Sequence, residues 1–173
     1  MTHDDAPGTP QSEPGQPRAA VIVASTRAAA GTAEDATGPV IRAWLHERGF
    51  RTVPDQPTVV PDGAPVGQAL RQALDDGARV VITTGGTGVS PTDQTPEQVT
   101  PLLDVTLPGI IEQIRARGTA TTPMAALTRG VAGFVGSTFV ITLPGSPSGV
   151  RDGLAVLDPL LPHLLAQRAG GDH

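Results

Sequence analysis

Asp93 stands in a long polar loop, Thr83-Thr84-Gly85-Gly86-Thr87-Gly88-Val89-Ser90-Pro91-Thr92-Asp93-Gln94-Thr95-Pro96-Glu97, between an apolar run and a helix start. Glycines permit positive φ and let the backbone approach a ligand closely, so the amides of Gly85, Gly86, Thr87 and Gly88 can line an anion site. A carboxylate beside such a site can hold Mg²⁺. The same residues also suit a tight turn before an ordinary helix, with Thr95 as the cap, Pro96 at the first position and Gln98 completing a capping box. Asp93 is then only a turn former. Ser146 is the second candidate: it precedes Pro147 at an expected helix start, where its hydroxyl can cap the helix, can bind a phosphate together with the amides of Ser148 and Gly149, or can do both.

The absences restrict the chemistry further. The 173 residues contain no Cys, Lys, Asn or Tyr. Without Cys there is no thiol nucleophile, cysteine-ligated zinc or iron–sulfur cluster; without Lys there is no Walker A lysine or Schiff base. The four histidines, at 3, 46, 163 and 173, are too scattered for a zinc cluster. Any metal should therefore be a hard cation such as Mg²⁺ on carboxylates. Seventeen acids against 12 arginines argue against a nucleic-acid partner, and no apolar run is long enough to cross a membrane. No signal peptide is recognisable, which makes the cytoplasm the expected location. A serine hydrolase is disfavoured because Pro147 follows Ser146 and no Gly-x-Ser-x-Gly elbow surrounds it.

The elements that must position these residues follow from the hydrophobic pattern. Residues 1–17, with four prolines and almost nothing apolar, read as a disordered tail; residues 18–169 form one domain and 170–173 fray. Apolar runs at 19–24, 79–84 and 138–143 read as strands buried on both faces. A stretch from Phe50 to Val60, broken by Pro54 and Pro57, belongs near a sheet edge, and 130–136 reads as a small strand or hairpin arm. Amphipathic helices run through Val40, Ile41, Trp44 and Leu45, through Val66, Leu70, Ala73 and Leu74, and through Ile110, Ile111 and Ile114. Short helices are expected from Pro96 and between Pro123 and Arg129. A last helix through Leu154, Leu157, Leu161 and Leu165 should be kinked or divided by Pro159 and Pro162.

Alternating helices and apolar strands imply a three-layer α/β/α domain with a mostly parallel sheet. Ligands of such sheets sit beyond the carboxyl ends of the strands. That places the chemistry in four loops: 25–31, 61–63, 85–97 and 144–149.

Taken together in this order and spacing, Ser25-Thr26-Arg27, Asp35 with Thr37-Gly38-Pro39, Pro61-Asp62, Gly85-Gly86-Thr87-Gly88, Asp93 with Thr95-Pro96-Glu97, Leu127-Thr128-Arg129 and Pro144-Gly145-Ser146-Pro147 resemble the MogA/MoaB type of molybdenum-cofactor biosynthesis protein, the molybdopterin adenylyltransferases. The resemblance extends over nearly all of 19–167. It implies a MogA-like, molybdopterin-binding fold and a reaction in which molybdopterin and Mg-ATP give adenylyl-molybdopterin and pyrophosphate. Asp62 and Asp93 match the family's functional aspartates and are cast as catalytic residues and Mg²⁺ ligands. Ser25, Thr26, Arg27, Gly85, Gly86, Thr87, Gly88, Gly145, Ser146 and Arg129 fall in its pterin- and nucleotide-binding motifs. A homo-oligomer, trimeric or hexameric, and a molybdenum-insertion partner are also implied, and a member that binds the pterin without turnover is the alternative. Two positions depart from the pattern: Thr37 stands where Ser is frequent, and Ser148 where a basic residue often follows the Pro-Gly-Ser-Pro turn. Arg151, on the last helix, reads as a solvated surface residue.

Overall fold

The computed structural model describes residues 15–171. Most of the expected N-terminal tail and the last two residues lie outside them.

A single sheet organises the chain. Its strands are β1 (Arg18–Ala24), β2 (Arg51–Thr52), β3 (Thr58–Val60), β4 (Val80–Thr84), β5 (Val105–Thr106), β6 (Ala132–Val135) and β7 (Thr138–Leu143). The lateral order is β2-β1-β4-β7-β6-β5, with β3 also on β1. The pairs β1/β2, β1/β3, β1/β4 and β4/β7 are parallel, while β5, β6 and β7 form an antiparallel margin. The stretch from Phe50 to Val60 is thus an edge, as Pro54 and Pro57 require, but it is broken into β2 and β3, which pair with successive parts of β1.

Among the described residues seven helices accompany it: α1 (Thr26–Ala29), α2 (Gly38–Glu47), α3 (Ala64–Asp75), α4 (Thr95–Val99), α5 (Pro108–Thr119), α6 (Pro147–Leu157) and α7 (Leu161–Arg168). Single-turn 3-10 segments lie at Thr100–Leu102 and Pro123–Leu127. Alternation along β1 explains the three layers. Ala19, Val21 and Val23 pack with Ile41 and Leu45 of α2 and with Ile114, Leu154 and Leu157 of α5 and α6. Ala20, Ile22 and Ala24 point the other way, onto Val66, Leu70 and Ala73 of α3 and Val99 of α4. Both faces are covered, which is why the strand runs show no polar alternation.

The last helix is divided where the prolines fall: α6 ends at Leu157, Pro159 lies in the gap and Pro162 takes an early position of α7. Trp44 is half-buried against the core, with the Arg48 guanidinium 4.0 Å from its ring centroid. At the C-terminus, Gly170 and Gly171 close α7 by donating to the Gln167 and Ala166 carbonyls.

Candidate functional site

The four loops expected at the carboxyl ends of the strands meet there. The Ser25 N–H donates to the Val60 carbonyl (2.9 Å), joining the ends of β1 and β3, and the Gly85 N–H donates to the Leu143 carbonyl (3.1 Å), joining β4 and β7. The Thr84 hydroxyl donates to the Pro144 carbonyl at 2.7 Å. A Cβ on Gly145 would lie 3.2 Å from the Gly85 Cα, so the glycine loop and the Pro144 turn touch backbone to backbone.

Asp62 braces this junction. Its Oδ1 accepts from the Gly63 N–H (2.7 Å) and the Thr95 hydroxyl (3.1 Å), and its Oδ2 from the Gln94 N–H (3.1 Å). This corrects one expectation: Thr95 does not cap α4. It is the first residue of the helix, fully buried, and its hydroxyl is spent on Asp62, while the capping position belongs to Gln94, whose side chain makes no cap bond. The Thr95 hydroxyl donates to a carboxylate from another loop in place of accepting from a helix amide, because a charge-assisted hydrogen bond is the stronger of the two. Gly86 makes the approach possible. It sits at φ +66°, and a Cβ there would strike Thr95 Oγ1 and Asp62 Oδ2.

Asp93 is built differently. Its backbone is fixed by a 2.9 Å bond from its N–H to the Ser90 carbonyl, and its own carbonyl accepts from Arg129 Nη2 (2.8 Å). Its carboxylate has no hydrogen-bond partner among the described residues and lies beside Gly88, where Oδ2 would be 2.6 Å from a Cβ. One carboxylate is therefore committed to holding the loop and the other is free to meet a ligand.

Arg129, expected near the ligand, faces the loop itself. Its Nε donates to the Gly88 carbonyl (2.7 Å), its Nη2 to Asp93, and its Nη1 pairs with Glu97. The hydrogen bond from Arg129 holds the Glu97 carboxyl below its ordinary value. Next to it, Arg115 donates twice to the Thr128 carbonyl, and the Thr128 hydroxyl reaches Thr87 Oγ1 at 3.2 Å. Thr87 is thereby buried, with its hydroxyl occupied.

Two clefts flank the junction. The larger, about 520 Å³, runs from Gly86, Thr87, Gly88 and Asp93 past Gly145 and Ser146 to Ser148 and Arg151. Its opposite wall is apolar: Ile114, Met124, Ala125 and Leu127. The smaller, about 310 Å³, is lined by Ser25, Arg27, Glu34, Thr84 and Gly85 among others, and shares Gly86 and Gly145 with the larger. Ser146 caps α6, with Oγ accepting from the Gly149 N–H at 3.1 Å. Ser25 caps α1 by accepting from the Ala28 N–H (3.1 Å), and Thr26 Oγ1 accepts from the Asp62 N–H at 3.4 Å. Asp35 turns its Oδ1 to the N–H groups of Thr37 and Gly38 at the start of α2, a helix-start role.

Sequence reasoning missed the apolar wall. Met124 and Leu127 are 65% and 48% exposed, but a short Pro-Met-Ala-Ala-Leu segment has no periodicity to mark it. Among the described residues no cluster of three metal-ligating side chains forms, and no helix is long and apolar enough to cross a membrane.

Residues 20–163 match the family described as "Probable molybdopterin binding domain". The chain belongs to that family. It is 41% identical over 155 residues to the molybdenum cofactor biosynthesis bifunctional protein of Synechococcus elongatus, covering 90% of this chain and 48% of that one. The chain spans about half the length of the curated bifunctional relatives it matches. It is also 36% identical over 154 residues to the molybdopterin adenylyltransferase of Pyrococcus furiosus, covering 84% of this chain and 87% of that protein. The solved structure of the Mog protein of molybdopterin biosynthesis from Mycobacterium ulcerans superimposes with a TM-score of 0.84 at 47% identity, over 91% of this chain and 99% of that one. Its fold is the three-layer, mostly parallel arrangement described above.

Proposed function

We propose that this domain adenylylates molybdopterin. The terminal phosphate of the pterin attacks the α-phosphorus of ATP; a phosphorus–oxygen bond forms there, the bond to the β-phosphate oxygen breaks, and pyrophosphate leaves. A phosphate monoester with a second pKa near 6 is already mostly dianionic at neutral pH, so no strong general base is required. What the site must supply is position and compensation of negative charge.

The observation that carries the proposal is the division of labour between two carboxylates at the junction of two clefts. Asp62 fixes the glycine loop through its bonds from Gln94 and Thr95, and Asp93 presents beside Gly88 a carboxylate unpartnered among the described residues. The donor set suits Mg²⁺, which takes one or two carboxylates and completes its shell with water and substrate phosphates. Asp93 would hold the ion, Asp62 beside its role as a brace would supply a second carboxylate, and the ion would offset the charge of the triphosphate. The apolar wall of Ile114, Met124, Ala125 and Leu127 suits the flat pterin and supports its binding in the larger cleft. The nucleotide then approaches from the smaller cleft, past Ser25 and Arg27, so that the two phosphates meet over Gly85, Gly86 and Gly145. A homo-oligomer and a molybdenum-inserting partner downstream complete the proposal.

Pyrophosphate release from ATP and Mg²⁺, dependent on added molybdopterin, tests it. Release by the wild type and its loss in Asp93→Ala are expected. One observation favours a second reading, a module that binds the pterin without turnover: Asp62 is already occupied as a brace. Tight pterin binding with no pyrophosphate would establish that alternative.

A further inference from the structure

The larger cleft would take the phosphate of the pterin, and with no Lys in the chain the permanently charged side chain able to meet it beside any metal ion is an arginine. Arg129 is unavailable, because its three guanidinium nitrogens are committed to the Gly88 and Asp93 carbonyls and to Glu97. Arg115 points both of its bonding nitrogens at the Thr128 carbonyl. Arg117 is paired with Asp152, the other carboxylate of the cleft wall, at 3.3 Å. Among the described residues that leaves Arg151 at the larger cleft, Arg27 lying in the smaller one. Arg151 is the one cationic residue lining the larger cleft, it is exposed, and its guanidinium has no hydrogen bond or ion pair among the described residues. No acid occupies the first turn of α6 to offset its charge.

We infer that Arg151 is the positioning cation of the larger cleft, taking the phosphate monoester of the ligand bound there. Ser148 and Arg151 are three residues apart on α6, so they share a helix face, and both line the cleft with Ser146. A phosphate placed at Ser146 and Ser148 therefore lies within one helical turn of Arg151. The arginine fork can bind two oxygens of such a group, which fixes its orientation as well as its charge. Arg151 also borders a neighbouring groove lined by Trp44, Glu47 and Arg48. The competing role for its side chain is a surface contact there with Glu47, which would give no dependence on a ligand phosphate.

This inference rests on the assignment of the pterin to the larger cleft, and the test separates it from adenylyl transfer. Binding of molybdopterin, and of the same pterin with its phosphate removed, is measured for the wild type, Arg151→Gln, Arg151→Lys and Arg71→Gln. Arg71 is an exposed arginine on α3 outside both clefts, so it controls for the loss of one positive charge. The wild type should prefer the phosphorylated form by about tenfold to a hundredfold, as charge-assisted hydrogen bonds to a phosphate imply. Arg151→Gln should erase that preference while leaving the dephosphorylated form bound as in the wild type; Arg151→Lys should restore part of it, and Arg71→Gln should keep all of it. An unchanged preference in Arg151→Gln, or equal weakening of both forms, overturns the inference, as does a wild type that binds neither form. If the preference behaves as expected while no variant releases pyrophosphate, Arg151 keeps its role and adenylyl transfer fails.

Discussion

The loop from Gly85 to Glu97 and the turn from Pro144 to Gly149 leave adjacent parallel strands at the same end of the sheet, yet they are held in opposite ways. The long loop is tied down from outside: Asp62 reaches in from the end of β3, and Arg129 reaches in to two of its carbonyls and Glu97. The short turn takes one side-chain bond from outside, the Thr84 hydroxyl on the Pro144 carbonyl, otherwise closes on itself through Ser146, and leaves Arg151 without a partner among the described residues. A long loop must have its ordering entropy offset by tertiary bonds, whereas a short capped turn is nearly fixed by its own sequence. The polar groups left over on each side, the Asp93 carboxylate and the Arg151 guanidinium, are those able to meet a ligand.

Asp93→Asn sharpens the contrast most. Turnover should fall by about a hundredfold to a thousandfold, the cost of removing one preorganised charged group, while stability stays within about 0.5 kcal/mol of wild type. Initial rates together with a thermal melt check both halves. Gly86→Ala breaks the braced side: strain at φ +66° and the collision with Asp62 and Thr95 should cost about 3 kcal/mol, read as a drop in melting temperature of about 10 °C. Asp62→Ala should lower turnover and also stability, by about 1–2 kcal/mol for the three lost bonds. If it affected only turnover, the assignment of Asp62 as a brace would be wrong.

The smallest effect concerns the Arg129–Glu97 pair. Its hydrogen bond lowers the folded pKa of Glu97 below an ordinary value near 4.5, so its stabilising contribution is present above that pH and is lost as pH falls through the lowered value. The melting difference between wild type and Glu97→Gln should therefore be visible at neutral pH and vanish on acidification, and it should shrink in high salt because both groups are exposed.

Much of this architecture was legible because it depends on local pattern. The apolar runs at β1, β4 and β7 have no alternation, which only a sheet covered on both faces explains. The four loops followed from the topology of such a sheet. The missing parts are those in which one segment decides the conformation of another. α1 is four residues long, too short for any period. β5 is two exposed residues that are strand only because β6 lies beside them. Thr95 has every local feature of a cap and is drawn away by Asp62, 33 residues earlier. Arg129 and Arg151 are equivalent as letters, and only the fold separates the one locked against its own loop from the one left open to the cleft.

Mass spectrometry of a reaction containing the protein, molybdopterin, ATP and Mg²⁺, with Asp93→Ala alongside, tests the central claim most directly. Adenylyl-molybdopterin formed by the wild type and absent with the variant is the expected result. Molybdopterin bound by a folded wild-type protein but recovered without adenylate would contradict the transferase assignment and leave a pterin-binding domain in its place.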